Sequence, residues 1–404
     1  MKPIYIISII ASIFTVQGCG GSSSGDDGSN TPVVTTVQGQ FFDSAVKGLQ
    51  FTSNSNDGIT DSAGTFTYEL TDNVPERISF SIGNILLGDA EGRPFLTPMD
   101  LAPSDTAGLI EQQNIVRLLL ALDADLDPNN GIDITNITSN ADTFSWADID
   151  FAGVGFETSA ELTSFLTDAS TILSRSVTLE STVTADAHIN DTYRCLISGN
   201  YYGMFTGNDV GPLVLGVDPK TGVIGGLGWS RLQSTVIGVP FNATPLNRLD
   251  GFAFTAVSDN DFNFTGNIQH FNLMKGSWIE NANSGSFSLE RMATADNTVE
   301  YRFTGTYLAD IPQVGINPIG ALSVNILKNG DAEGELLNIV FGTTQITPVS
   351  GSVSNGIISL SATNGMTLSG AIDLIDHDAT GTWSDPSGII ATGTFDMNGC
   401  VLTR

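Results

Sequence analysis

From Val37 to Ala102, apolar and polar residues alternate in short runs broken by Gly, Asn, Asp and Ser, as in GQFFDSAVKGLQFTSNSNDGITDSAGTFTYEL. A period of two turns one face of each run toward a core, so this region reads as half-buried strands joined by tight turns. Between about 103 and 192 the period lengthens. Ile115, Leu118, Leu119 and Leu122 share one helical face, and Leu162, Phe165, Leu166, Ala169 and Leu173 form a second apolar stripe. Thr158 and Glu161 stand before that second stripe at the spacing of a capping box. From 193 onward the period returns to two. Runs at Tyr201–Thr206, Leu213–Val217, Val223–Arg231, Thr235–Val239, Phe252–Ala256, Phe262–Gln269, Leu273–Ile279 and Ser286–Arg291 are separated by turn residues, with no helix between them. That pattern predicts an antiparallel meander, closed into a barrel or folded into a sandwich.

The last region repeats itself. FTGNIQHFNLMKGSW and SGSFSLER are echoed by LSGAIDLIDHDATGTW and ATGTFDM. Gly266 answers Gly370 at 104 residues, Trp278 answers Trp383 at 105, and Phe287 answers Phe395 at 108. Gly222 and Gly226 pair with Gly330 and Gly334, and SGNYYG aligned on TGTYLA pairs Gly199 with Gly305. The expected fold class is therefore mainly β: an N-terminal sandwich over 37–102, a short helical connector over 103–192, and a duplicated antiparallel meander. The two copies, of about 105 residues each, occupy 193–298 and 299–404.

Within the first region, Thr60-Asp61-Ser62-Ala63-Gly64-Thr65-Phe66 is the most specific stretch: an Asp to accept turn bonds, a Gly for positive φ, a Phe re-entering the core. Together with Val46-Lys47-Gly48 it resembles the repeated theme of the prealbumin-like, carboxypeptidase-regulatory-like domain, and FSIGNILLG (80–88) is similar to a stretch found in many bacterial lipoproteins built that way. The resemblance covers under a fifth of the chain. It implies a scaffold or spacer, and it carries no catalytic residue over.

The N-terminus adds an address. Lys2 is followed by an almost continuous apolar run from Ile4 to Val16, the layout of a secretory signal peptide and too short for a comfortable membrane span. Val16-Gln17-Gly18-Cys19 resembles the lipobox of bacterial lipoproteins, which implies cleavage after residue 18 and acylation of Cys19. Gly20, in place of the Asp typical of inner-membrane retention, implies an outer-membrane destination on either its periplasmic or its extracellular face. The Gly/Ser/Asp-rich segment up to 36 then reads as a tether holding the folded body ~20–25 Å from the bilayer.

Composition narrows the partners. A net charge of −29 argues against nucleic acid and anionic membrane surfaces and leaves cations, basic proteins or uncharged glycans, so that with the envelope address the expected partner is an envelope or extracellular protein or a glycan. Of three cysteines, Cys195 and Cys400 remain beside Cys19, an even pair in an oxidising compartment, and they are expected to form a disulfide tying the first strand of one copy to the last of the other.

Candidate chemistry is sparse. In LDADLDPNNGID (122–133), Asp123, Asp125, Asp127 and Asn129 alternate as calcium ligands do, but Pro128 occupies the sixth position and Ile134 the twelfth, so a plain helix stop with an Asx-rich turn competes with a calcium loop. Trp229, Trp278 and Trp383 are candidates for ligand stacking, with core packing the alternative. His188, His270 and His377 have no zinc spacing, DHD (376–378) reads as a solvated turn, and GVIGGLGW lacks the lysine and following helix of a phosphate loop. No nucleophile elbow appears, and no acid pair stands out for a hydrolase. The expected function is that of a lipid-anchored, non-enzymatic binding, adhesion or assembly module of the cell envelope. A small apolar-ligand carrier is the alternative, and a hydrolase a more distant one.

Overall fold

The computed structural model describes residues 32–102, 106–240, 245–248, 251–269, 271–291, 299–310, 319–340, 342–386 and 392–402. The signal segment, Cys19, most of the tether and His270 lie outside these residues.

Nine short strands open the chain: β1 (Val34–Phe41), β2 (Val46–Lys47), β3 (Gln50–Thr52), β4 (Asp57–Ile59), β5 (Thr65–Thr71), β6 (Val74–Pro75), β7 (Arg77–Ile82), β8 (Ile85–Glu91) and β9 (Phe95–Leu96). Eight of them build two four-stranded sheets, ordered β6-β5-β1-β9 and β4-β3-β7-β8, while β2 pairs in parallel with a short strand at Ile132–Asp133. The sheets face each other as a sandwich because alternate residues are aromatic or aliphatic: Phe80 of β7 meets Phe41 of β1 with ring centroids 4.8 Å apart and Phe66 of β5 at 5.2 Å. The turn before β5 works as its sequence suggests. Asp61 Oδ1 accepts the Ala63 and Thr65 amides, Gly64 takes φ +70°, and Phe66 enters the core.

The connector comprises α1 (Pro98–Leu101), α2 (Thr106–Leu122), β10 (Ile132–Asp133), α3 (Thr135–Thr138), α4 (Ala141–Phe144), α5 (Ala160–Ile172) and α6 (Thr182–Ile197). Ile115, Leu118, Leu119 and Leu122 of α2 are buried, as their spacing requires, and so are Leu162, Phe165 and Ala169 of α5. One expectation shifts by a residue: Ser159, not Thr158, caps α5, its hydroxyl accepting the Leu162 amide at 3.2 Å. Thr158 instead closes the preceding turn onto the Gly155 carbonyl. The helical connector also runs past 192. Ala185, Ile189, Tyr193 and Leu196 form the buried stripe of α6, which places Cys195 in a helix rather than in a strand.

The first copy contains β11 (Gly199–Gly207), β12 (Gly211–Val217), β13 (Ile224–Ser230), β14 (Thr235–Val239), β15 (Ala253–Val257), β16 (Asn263–Gln269), β17 (Leu273–Glu280) and β18 (Asn283–Arg291). All eight predicted runs are strands. They form one antiparallel sheet, β14-β13-β12-β11-β18-β17-β16-β15, in which first and last strands pair at the centre. The second copy follows with β19 (Val299–Ala309), β20 (Ile319–Leu327), β21 (Asp331–Val340), β22 (Thr343–Ser354), β23 (Ile357–Ala362), β24 (Thr367–Asp373), β25 (Asp378–Ser384) and β26 (Thr392–Val401), and here the sheet closes into a barrel.

The duplication reaches single atoms. Trp278 donates its indole N–H to the Thr206 carbonyl at 2.9 Å, and Trp383 donates to Leu308 at 3.1 Å. Phe205 and Tyr307 meet those two rings edge-on. A Cβ on Gly276 or on Gly381 would fall within 2.7 Å of the Phe287 or Phe395 ring, so both glycines admit the aromatic of the next strand. These contacts correct the alignment of the first strands. Gly203, not Gly199, corresponds to Gly305, because Gly203 packs on the Ser288 carbonyl as Gly305 does on that of Asp396. Short Gly-and-Tyr strings match at either offset, and only the cross-strand contacts decide between them.

One apolar core runs continuously through the sandwich, the helices and the first copy, while the second barrel has a core of its own. A smaller cluster joins the copies: Val214 and Leu227 meet Ala321, Leu337 and Ile339, with Tyr202 and Trp229 against them. The expected disulfide is formed between Cys195 and Cys400, with Cα atoms 5.6 Å apart. It ties the last turn of α6 to β26.

Candidate functional site: a polar cleft between the two β units

Phe303, Leu322, Val324, Leu336 and Val349 fill the second barrel. Strand alternation therefore turns Arg302, Ser323, Asn325, Glu335 and Pro348 outward. In the ladder they form two cross-strand rows, Arg302–Asn325–Glu333–Ser350 and Thr304–Ser323–Glu335–Pro348. An outward face of this kind normally meets water. Here it meets the first copy, and Arg302, Thr304, Asn325 and Glu335 are buried. Arg291, at the end of β18, closes one side, leaving a cleft of about 260 Å³ lined by both arginines, Asn325, Glu333, Glu335 and Ser350 among others.

Helix α6 explains how the arginines are held. Its last carbonyls lack intrahelical donors and carry the negative end of the helix dipole. Arg302 Nη1 donates to the Cys195 and Leu196 carbonyls, each at 3.2 Å, and Arg291 Nη1 donates to Ser198. Arg302 Nε also reaches Asn325 Oδ1 at 3.3 Å, and the Arg291 guanidinium lies 5.9 Å from the centre of the Tyr201 ring. Burial, with Arg291 close enough to repel it, holds Arg302 well below the ordinary arginine range.

Opposite them, desolvation pushes the Glu335 carboxyl up to about 7. Two buried atoms of the cleft lining, Arg291 Nε and Glu335 Oε2, have no hydrogen-bond partner; a third unpartnered atom, Thr304 Oγ1, shares the cross-strand row of Glu335 but faces a neighbouring cleft lined by Asp218 and Asn398. Asn200 Nδ2 is a fourth, two residues before Tyr202 and thus on the same face of β11. Buried polar atoms are normally satisfied, so such a concentration marks a place where water or a ligand completes the bonding. Compared with known proteins, the chain matches no family model and no curated protein. The site has to be read from its own chemistry.

The residues singled out from sequence lie elsewhere. Trp278 and Trp383 are buried in the cores of their copies with their indole N–H groups bonded to backbone, and Trp229 packs at the contact between copies, where the Gly342 backbone approaches its ring. In the acidic loop, Asp123 Oδ1 accepts the Asp133 amide, while Asp125 accepts the Asp127 amide and the Asn130 side chain. Asp123 is buried with Oδ2 unpartnered, Asp125 and Asp127 are exposed, and the Asn129 side chain lies outside the described residues. Arg175 donates to the Asp123 carbonyl at 2.6 Å, placing a cation beside the loop. No group of three metal-ligating side chains occurs among the described residues. His377 sits in a turn after Asp373, whose Oδ1 accepts the Ile375 and Asp376 amides. His188 of α6 faces Asp43 of the sandwich at 3.5 Å, and burial raises Asp43 to about 6.

Arg291, Arg302, Asn325 and Glu335 were not legible as a site. Charged and polar residues on the outer face of a predicted strand have the pattern of any solvated surface, and only the docking of one copy on the other buries them.

Proposed function

We propose that this chain is a non-catalytic binding protein of the bacterial cell envelope, moored to the outer membrane through a lipid on Cys19 and holding its ligand in the cleft between its two β units. The observation that carries this reading is the buried cleft itself, with its unpartnered polar atoms. The packed cores of both copies favour it over a carrier that holds an apolar ligand inside a barrel. The helices and the N-terminal sandwich serve as the rigid stem between tether and cleft. Among the described residues no helix is long and apolar enough to cross a membrane.

Cell fractionation with a labelled fatty acid tests the anchor. The wild-type chain is expected in the outer-membrane fraction carrying the label, and Cys19→Ala is expected unlabelled and detached. A labelled protein in the inner membrane alone, or an unlabelled protein in the cytoplasm, refutes this address.

A second reading has one observation in its favour. Glu333 and Glu335 stand two residues apart on β21 and both line the cleft, ~6–7 Å apart along the strand. Glu335 has the raised pKa of a general acid. That pair would suit a glycosidase, and turnover of nitrophenyl glycosides that disappears in Glu335→Gln would replace the non-catalytic reading with this one.

A further inference from the structure

We propose that the cleft between the β units binds a neutral sugar residue, in which the ring hydroxyls bridge Arg291 and Asn325 on one side and Glu335 and Ser350 on the other. This rests on the reading of the cleft as the ligand site and names the class of ligand it takes.

Three features point to this chemistry. First, the unpartnered atoms are mixed in kind. Arg291 Nε can only donate, while Glu335 Oε2 accepts when ionised. A hydroxyl group also does both, so a ligand with several adjacent hydroxyls satisfies donors and acceptors side by side. A carboxylate or phosphate satisfies only the donors, and an ammonium only the acceptors. Second, the lining is mixed in charge. Arg291 and Arg302 share it with Glu333 and with Glu335, whose carboxyl is pushed up to about 7, and the arginines are already directed in part onto the carbonyls ending α6. The remaining field does not favour an anion, and a chain of net charge −29 opposes one further. Third, the volume of about 260 Å³ is below the ~300–1,000 Å³ of pockets for drug-sized ligands and suits one or two sugar rings. Arg, Asn and Glu are planar groups that can engage neighbouring hydroxyls in pairs. They are set here on strands, which hold their spacing more firmly than loops do.

The experiment uses the full lipidated chain in a polyoxyethylene detergent, which contains no sugar. Saturation-transfer NMR is recorded with methyl glucoside, galactoside, mannoside and N-acetylglucosaminide, and with glucuronate and acetate as charged arms. At least one neutral glycoside is expected to bind, with affinity falling about tenfold in Glu335→Gln, as loss of one hydrogen bond predicts. Ser350→Ala, a smaller change at the rim of the cleft, is expected to weaken the same glycoside, and both variants are checked for unchanged circular dichroism. Absence of binding by all four neutral glycosides overturns the proposal. So does binding of glucuronate and acetate alone, which would make the cleft an anion site, and so does a neutral glycoside that binds both variants as well as the wild type. Membrane attachment is read separately by fractionation, so loss of the sugar and loss of the envelope address are distinguishable. Hydrolysis of a bound glycoside would leave the sugar site standing and displace only the non-catalytic reading.

Discussion

At the scale of single residues, Glu335 works against stability. It is a buried carboxyl with one oxygen unpartnered, and desolvation raises it from the ordinary 4.5 to about 7. Between those two values the folded chain keeps a proton that the unfolded chain has released, so this group's contribution to stability falls as the pH climbs through that window. Glu335→Gln is expected to flatten that part of the pH profile and to stabilise the protein at pH 8 by on the order of 1–3 kcal/mol, measured by urea unfolding. A variant that unfolds at lower urea at pH 8 contradicts this. Asp43, raised to about 6, adds a slope of the same sign at lower pH and remains in the variant as an internal reference. The acidic loop gives a second prediction. Its carboxylates hold amides of their own turn and Arg175 stands beside it, so millimolar calcium or a chelator is expected to leave the melting temperature unchanged. A calcium-dependent rise that Asp125→Ala removes would establish a metal loop.

At the scale of elements, hydrophobic period placed the strands and helices, and chemistry at their ends placed the boundaries less well. The stripe Leu162, Phe165 and Ala169 was readable because burial demands it, whereas Thr158 and Ser159 are both plausible caps and differ only in which hydroxyl reaches the helix. Ser159→Ala is expected to cost about 1 kcal/mol and Thr158→Ala clearly less, as measured by thermal unfolding. Equal losses would mean that the cap is shared. Helix α6 shows the other limit. Its stripe can be found by period, and Ser198 closes its end locally by donating its amide and hydroxyl to the Cys195 carbonyl, but the remaining bonds come from Arg291 and Arg302, about 90–110 residues away in sequence. The part of a helix terminus that distant side chains complete leaves no local signal.

At the scale of the whole molecule, the disulfide between Cys195 and Cys400 encloses both β units in one covalent loop. The packing is layered to match: one core from the sandwich through the first copy, a separate core in the barrel, and a small apolar contact joining the copies. The second barrel is therefore the part least bound by packing and most dependent on the bridge. Replacing both Cys195 and Cys400 by Ser is expected to cost about 2–5 kcal/mol and to split one unfolding transition into two, the barrel melting first in calorimetry. A single transition at the wild-type temperature would show that the contact between copies suffices. The same variant should loosen the cleft, since Cys195 lies in the turn that Arg302 holds.

The amino-acid sequence determined the mainly-β class, the helical interval, the eight strands of the first copy, the duplication and the pairing of its two late cysteines. Each follows from a local period or from composition, and physics acts on these before the chain is folded. The tertiary structure decided that one copy closes as a barrel while the other is an eight-stranded sheet whose end strands β14 and β15 do not form a ladder with each other among the described residues, and which glycines correspond between them. It alone revealed the polar cleft. Whether an outward-facing polar row meets water or a second unit depends on how two folded bodies dock, and alternation within a strand is identical in either case.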